Sequence, residues 1–269
     1  MTAADRPSRI ARAVLGAGLV VFVAVLAGFA FLARLPLLDA ILLAALLVAV
    51  PVSALAQLPF LDDLYVERIP IYWASIASIG FIGVAAWLVG TRDAGPGVGL
   101  GTIAAAPLVL WALGLTVAGL ATITLFREVA TRIGTPDTPL LRELLPRTGR
   151  ERGVFALLSV SAGFGEELAY RGYAISALAP ITGVGGAAVV ASVTFGVVHG
   201  YQGVLGMVRT GVMGGVLAWG FLASGSLWPG IVAHTLIDVL AGIVLGERLL
   251  SPERSAGVSE PASLPIEPS

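Results

Sequence analysis

Long apolar stretches alternate with short polar connections along almost the whole chain. A helix rising about 1.5 Å per residue needs roughly 20 mainly apolar residues to cross a hydrocarbon core of about 30 Å. Eight stretches reach or approach that length: residues 13–33, 40–60, 69–90, 100–126, 153–179, 183–199, 203–223 and 226–246, the sixth being the shortest. The pattern predicts an all-α, polytopic membrane helix bundle of about eight transmembrane helices. The first stretch has an Arg-rich flank like a signal peptide, but its apolar run is too long for a signal core and no small-residue cleavage site follows, so it reads as an anchor. The connection from Arg127 to Arg152 is the longest polar one and has room for a short amphipathic helix at the membrane surface. The last residues, 251–269, are rich in Pro, Ser and Glu and bury too little to order themselves. The organisation expected is therefore a four-helix membrane region with a polar linker over 1–152, a chemistry-bearing helix region over 153–250, and a disordered tail.

Composition agrees with lipid as the solvent, since 57% of residues are hydrophobic and 12% charged, and mean hydropathy is +0.93. Charge adds orientation. All 16 basic residues are Arg, and short cytoplasmic loops hold an excess of basic residues. With the N-terminus inside, eight segments place Arg6, Arg9, Arg12, Arg68, Arg127, Arg132, Arg142, Arg147, Arg150, Arg152, Arg248 and Arg254 on the cytoplasmic side, and only Arg34 and Arg92 outside. A multi-pass protein of the cell membrane with both termini cytoplasmic follows. A net charge of −1 offers nothing to nucleic acid. The absence of Cys excludes disulfides, thiolate zinc sites and a cysteine nucleophile.

Ionisable side chains at membrane depth are costly and by default mark a functional site. They concentrate in the second half: Glu166, Glu167 and Arg171 in one segment, His199 in the next, His234 and Asp238 in the last. Glu167 and Arg171 are four apart and share a helix face, where they can neutralise each other. Glu166 is turned about 100° away and is left free to face a reaction. Phe195 shares a face with His199 and can wall its pocket. Asp238 shares a face with His234 and is expected to fix its tautomer. A glutamate and two imidazoles in a dry cavity can hold a divalent metal, most readily zinc, through Glu166, His199 and His234, so that bound water becomes a nucleophile. Alternatively Glu166 with one histidine activates water directly, with no metal, while the other stabilises the oxyanion. Both routes hydrolyse an acyl bond, with a peptide the expected substrate. A proton or ion relay for transport is a different reading of the same groups, disfavoured because the two halves of the chain show no repeat of broken helices. An inactive scaffold or immunity protein that only binds a peptide is the third.

The series Glu166-Glu167-x-x-x-Arg171, Phe195-x-x-x-His199 and His234-x-x-x-Asp238, in that order on successive membrane segments, resembles the motif set of the CAAX-protease and bacteriocin-processing (CPBP) intramembrane proteases over roughly residues 154–245. The resemblance implies an eight-helix intramembrane endopeptidase acting on a membrane peptide or protein. In it Glu166 would activate water, His199 and His234 would complete the site, and Glu167, Arg171, Phe195 and Asp238 would support it. CAAX-trimming relatives carry Asn where this chain has Asp238.

Overall fold

The structure is a computed structural model and describes residues 6–61 and 66–250. Its long elements are α1 (Arg6–Leu32), α2 (Leu37–Phe60), α3 (Arg68–Thr91), α4 (Ala105–Ile133), the 50-residue run Gly149–Val198, α8 (Gly200–Ser224) and α9 (Trp228–Leu245). A five-residue helix, α5 (Pro139–Glu143), lies in the long polar connection. No strand occurs among the described residues, so the fold is all-α. The expected tail at 251–269 falls outside the described residues.

Seven helices among the described residues are long and apolar enough to cross a membrane, where the sequence predicts eight segments. The difference lies in Gly149–Val198. A straight rod of that length would measure about 75 Å, more than twice the hydrocarbon core. It is broken at Gly183, whose φ of 72° and ψ of 160° are non-helical and suit a residue without Cβ. Pro180, just upstream, weakens the same turn by removing an N–H donor. The chain doubles back there: the rings of Tyr170 and Phe195 have centroids 5.3 Å apart, against roughly 37 Å in a straight helix. The fifth and sixth predicted segments are thus the two limbs of one run, here α6 (residues 149–182) and α7 (residues 184–198).

Polarity is inverted relative to a water-soluble bundle. Phe31, Leu32, Phe81 and Val204 are between 74% and 87% exposed, while Asp39, Glu167, Arg171 and His234 are buried. An apolar exterior over a polar centre is what a lipid-facing bundle requires, and the chain is a multi-pass membrane protein.

Four local devices hold the site-bearing helices. The start of α6 is a capping box: Thr148 Oγ1 accepts from the Glu151 backbone N–H at 3.2 Å, and Glu151 Oε2 accepts from the Thr148 N–H at 2.8 Å. Arg68 at the head of α3 donates to Leu145 O at 3.0 Å and pairs with Glu143 at 2.9 Å, so the polar connection is pinned rather than free. At the far end Arg92 pairs with Asp39, and the Tyr173 hydroxyl donates to Asp39 Oδ1 at 2.9 Å, joining α2 and the end of α3 to α6. Where α7 crosses α8, a Cβ on Gly196 would lie 2.5 Å from Met207 O and 3.0 Å from Gly211 Cα. Two residues without side chains, Gly196 and Gly211, permit this close approach.

Candidate active site

Residues Glu167–Ala174 of α6 form a π-helical stretch, a wider helix that recurs at functional sites. Within it Glu167 and Arg171 are fully enclosed, and Arg171 Nη1 donates to Glu167 Oε1 at 2.8 Å. The Arg171 guanidinium also stacks on Phe195 of α7, with Cζ 4.2 Å from the ring centroid. The same Glu167 Oε1 accepts from His234 Nδ1 of α9 at 2.9 Å. One carboxylate oxygen therefore ties α6 to α9 and, through Arg171, to α7.

Glu166 stands beside this sealed pair and is its more open neighbour, with a side chain 16% exposed against none for Glu167. Its Oε2 lies 3.6 Å from His234 Nε2, and Asp238 Oδ2 lies 3.8 Å from that same nitrogen. Asp238 consequently does not fix the His234 tautomer as its spacing suggests. Glu167 does so from the opposite edge of the ring, because it reaches Nδ1 from another helix. His199 enters through Phe195: its Nδ1 donates to Phe195 O at 2.8 Å, and its ring centroid lies 4.7 Å from that of Phe195. The Phe195 ring also meets His234 edge-on at 6.1 Å. Phe195 is thus the hub around which Tyr170, Arg171, His199 and His234 gather.

Hydrogen bonding fixes the chemistry of both imidazoles. A carbonyl oxygen and an ion-paired carboxylate can only accept, so each histidine carries a proton on Nδ1, and His234 turns Nε2 toward Glu166 and Asp238. That is the arrangement of metal-ligating histidines, whose other N–H is held by a carboxylate or a backbone carbonyl. Glu166, Asp238 and the two Nε2 atoms are of the donor types that suit a divalent cation. Their spacing is not that of an assembled metal centre, since no group of three or more His, Asp or Glu among the described residues is placed to hold a metal ion.

Residues 150–240 match the family model Rce1-like, described as type II CAAX prenyl endopeptidase Rce1-like. The match spans every motif residue from Glu166 to Asp238, so the part of the chain that is similar to that family lies in α6 to α9. Comparison with curated proteins and with solved structures gave no match. The Rce1-like region is not a separate body: the Tyr72 ring of α3 packs edge-on against Phe155 of α6 at 5.4 Å.

Three features of the site escape the sequence pattern. Glu167 Oε2, the Tyr170 hydroxyl and Arg171 Nη2 are buried without a hydrogen-bond partner. Tyr201 lies against His199, ring centroids 5.9 Å apart. Arg209, which snorkelling alone would explain from its depth, is instead tied to Asp137 at 3.3 Å and to Gln202 Oε1 at 2.9 Å. The only signals for these in the sequence are the single turn from Glu166 to Tyr170 and the closeness of Tyr201 to His199. Neither is distinctive among so many aromatic residues in membrane helices.

Proposed function

We propose that the protein is an intramembrane endopeptidase that uses Glu166 and the two histidines to hydrolyse a peptide bond of a membrane peptide or protein. The observation that carries this reading is the contrast between two adjacent glutamates: one sealed in an ion pair, the other open and set against a histidine whose tautomer is fixed. Packing accounts for Glu167 and Arg171, but it gives no reason for a second glutamate, Glu166, beside them at membrane depth.

The Glu166 carboxylate takes one proton from a water molecule, and His199 Nε2 accepts a hydrogen bond from the other and orients it. The water oxygen bonds to the scissile carbonyl carbon, and the C=O π pair moves onto oxygen. The tetrahedral intermediate then collapses: the C–N bond breaks and the leaving nitrogen takes the proton that Glu166 holds. One water is consumed, giving an acid and an amine. His234, fastened by Glu167 and facing Glu166 and Asp238 through Nε2, holds the carboxylate side of the site in register. A divalent cation such as zinc on Glu166, His199 and His234 is the other route open to these residue types, but their spacing does not assemble a site for it, and the steps above use none.

The family's printed description points to a prenylated C-terminal tail as the first substrate class to try. The Arg distribution supports a cell-membrane protein with cytoplasmic termini, and the apolar exterior makes the lipid bilayer its constant partner. The test is mass spectrometry of membrane peptides from cells carrying wild-type protein or Glu166→Ala. Fragments that depend on wild type identify the substrate. Identical peptide profiles, with both proteins folded in the membrane, would leave a binding scaffold as the better description.

A further inference from the structure

The site as described is built almost entirely of acceptors. Glu166 and Asp238 are carboxylates, both histidines spend their Nδ1 protons on fixed partners, and His234 Nε2 is turned to those two carboxylates. Such a set grips water or a cation well, but it has no neutral donor for the negative oxygen that forms during hydrolysis. Asp238, standing where CAAX-trimming relatives have an amide, cannot donate while ionised. Hydrolysis of an acyl group gains more from donors aimed at that oxygen than from most other devices.

Tyr201 supplies one. Gln202 Oε1 accepts from Arg209 Nη2 at 2.9 Å and from Thr210 Oγ1 at 3.2 Å. Since a guanidinium can only donate, the orientation of the Gln202 amide is fixed. Its Nε2 therefore donates to the Tyr201 hydroxyl oxygen at 3.2 Å. That hydroxyl is thus an acceptor toward Gln202, and its own proton must point elsewhere. No acceptor among the described residues lies within hydrogen-bond distance of it.

The surroundings fix the ring as well. Thr138 Oγ1 donates to Tyr201 O at 2.9 Å, Arg209 is anchored by Asp137, and the ring lies against His199. Tyr170, whose hydroxyl also lacks a partner, is sealed at 3% exposure. Tyr201 is partly open, so a substrate can reach it.

The geometry points to Tyr201 as a catalytic residue whose hydroxyl donates to the scissile carbonyl oxygen as it becomes negative, with Gln202, Arg209 and Asp137 as its positioning chain. This rests on the hydrolytic reading given above. As the carbonyl π pair moves to oxygen, the Tyr201 O–H shortens its hydrogen bond to it without giving up its proton. When the C–N bond breaks, the carbonyl re-forms and the hydrogen bond relaxes.

The experiment uses full-length protein in proteoliposomes and an internally quenched peptide with a farnesylated cysteine near its C-terminus. Tyr201→Phe should lower kcat by roughly 10²-fold, in line with loss of one oxyanion donor, and leave KM within about twofold. Gln202→Leu, which keeps the phenol but frees it, should lower kcat by a smaller factor. A phosphinate analogue of the same peptide should bind Tyr201→Phe more weakly by the factor lost in kcat/KM. The intact peptide should bind Glu166→Gln and Glu166→Gln/Tyr201→Phe equally. Unchanged kcat in Tyr201→Phe, or equal loss of affinity for peptide and phosphinate, would overturn the assignment while leaving hydrolysis by Glu166 in place. Wild-type protein no more active than Glu166→Gln would overturn the hydrolytic reading itself, and this assignment with it.

Discussion

Glu167 is the residue whose removal should cost the most for the fewest atoms. Its Oε1 receives Arg171 Nη1 at 2.8 Å and His234 Nδ1 at 2.9 Å, and both carboxylate and guanidinium are sealed from solvent. Glu167→Ala strands a buried guanidinium, which costs about 3–5 kcal/mol, and leaves an imidazole N–H without an acceptor, which costs about 1–3 kcal/mol. The total, roughly 4–8 kcal/mol, is comparable with the whole stability of an ordinary domain at about 5–15 kcal/mol. At about 2–4 °C per kcal/mol for a chain of this size, the detergent-purified variant should unfold at least 8 °C or so below wild type. Thermal challenge followed by size-exclusion chromatography reads this directly. Arg171→Ala should behave similarly, since it leaves the carboxylate unpaired. Glu167→Gln with Arg171→Met removes both charges together and should recover much of the loss, because neither partner is stranded. A Glu167→Ala midpoint within about 3 °C of wild type would refute the pairing as the lock of this core.

Gly183→Val should destabilise by about 1–2 kcal/mol or more through its left-handed φ, and activity should fall with it because the reversal carries Phe195 and His199 to the site; a wild-type midpoint and rate would place the turn elsewhere. Single cysteines at Ala4 or Ser259, in a chain with no cysteine of its own, should resist impermeant thiol reagents in intact cells and react after permeabilisation; labelling from outside would reverse the orientation.

The parts of this site visible in the sequence are those set by local spacing. A separation of four residues put Glu167 against Arg171 and Phe195 against His199, and the 3.6-residue period separated Glu166 from Glu167. The apolar runs located the helices, and the break between the fifth and sixth fell where Pro180 and Gly183 interrupt a continuous helix. What spacing could not supply was contact between helices. Asp238 was the natural neighbour for His234 on its own helix, yet Glu167 reaches the ring first, because α9 packs against α6 at Gly163, whose added Cβ would meet Thr235 and Ile231, one turn before Glu167, and only three-dimensional packing decides that crossing. Arg209 finds no acidic partner within its own helix for the same reason: Asp137 is 72 residues away in the chain. The Tyr201 hydroxyl gains its direction from a relay through Gln202, Arg209 and Thr210, none of which stands out among ordinary polar positions.

The central claim, that Glu166 drives water onto a peptide bond inside the membrane, is tested most directly by hydrolysis in ¹⁸O-enriched water. Purified protein in proteoliposomes is incubated with the farnesylated peptide, and the products are weighed by mass spectrometry. The account predicts one ¹⁸O in the new carboxylate with wild-type protein, and no product above background with Glu166→Gln at equal folded yield. Cleavage by Glu166→Gln at the wild-type rate, or wild-type product without the heavy oxygen, would contradict it.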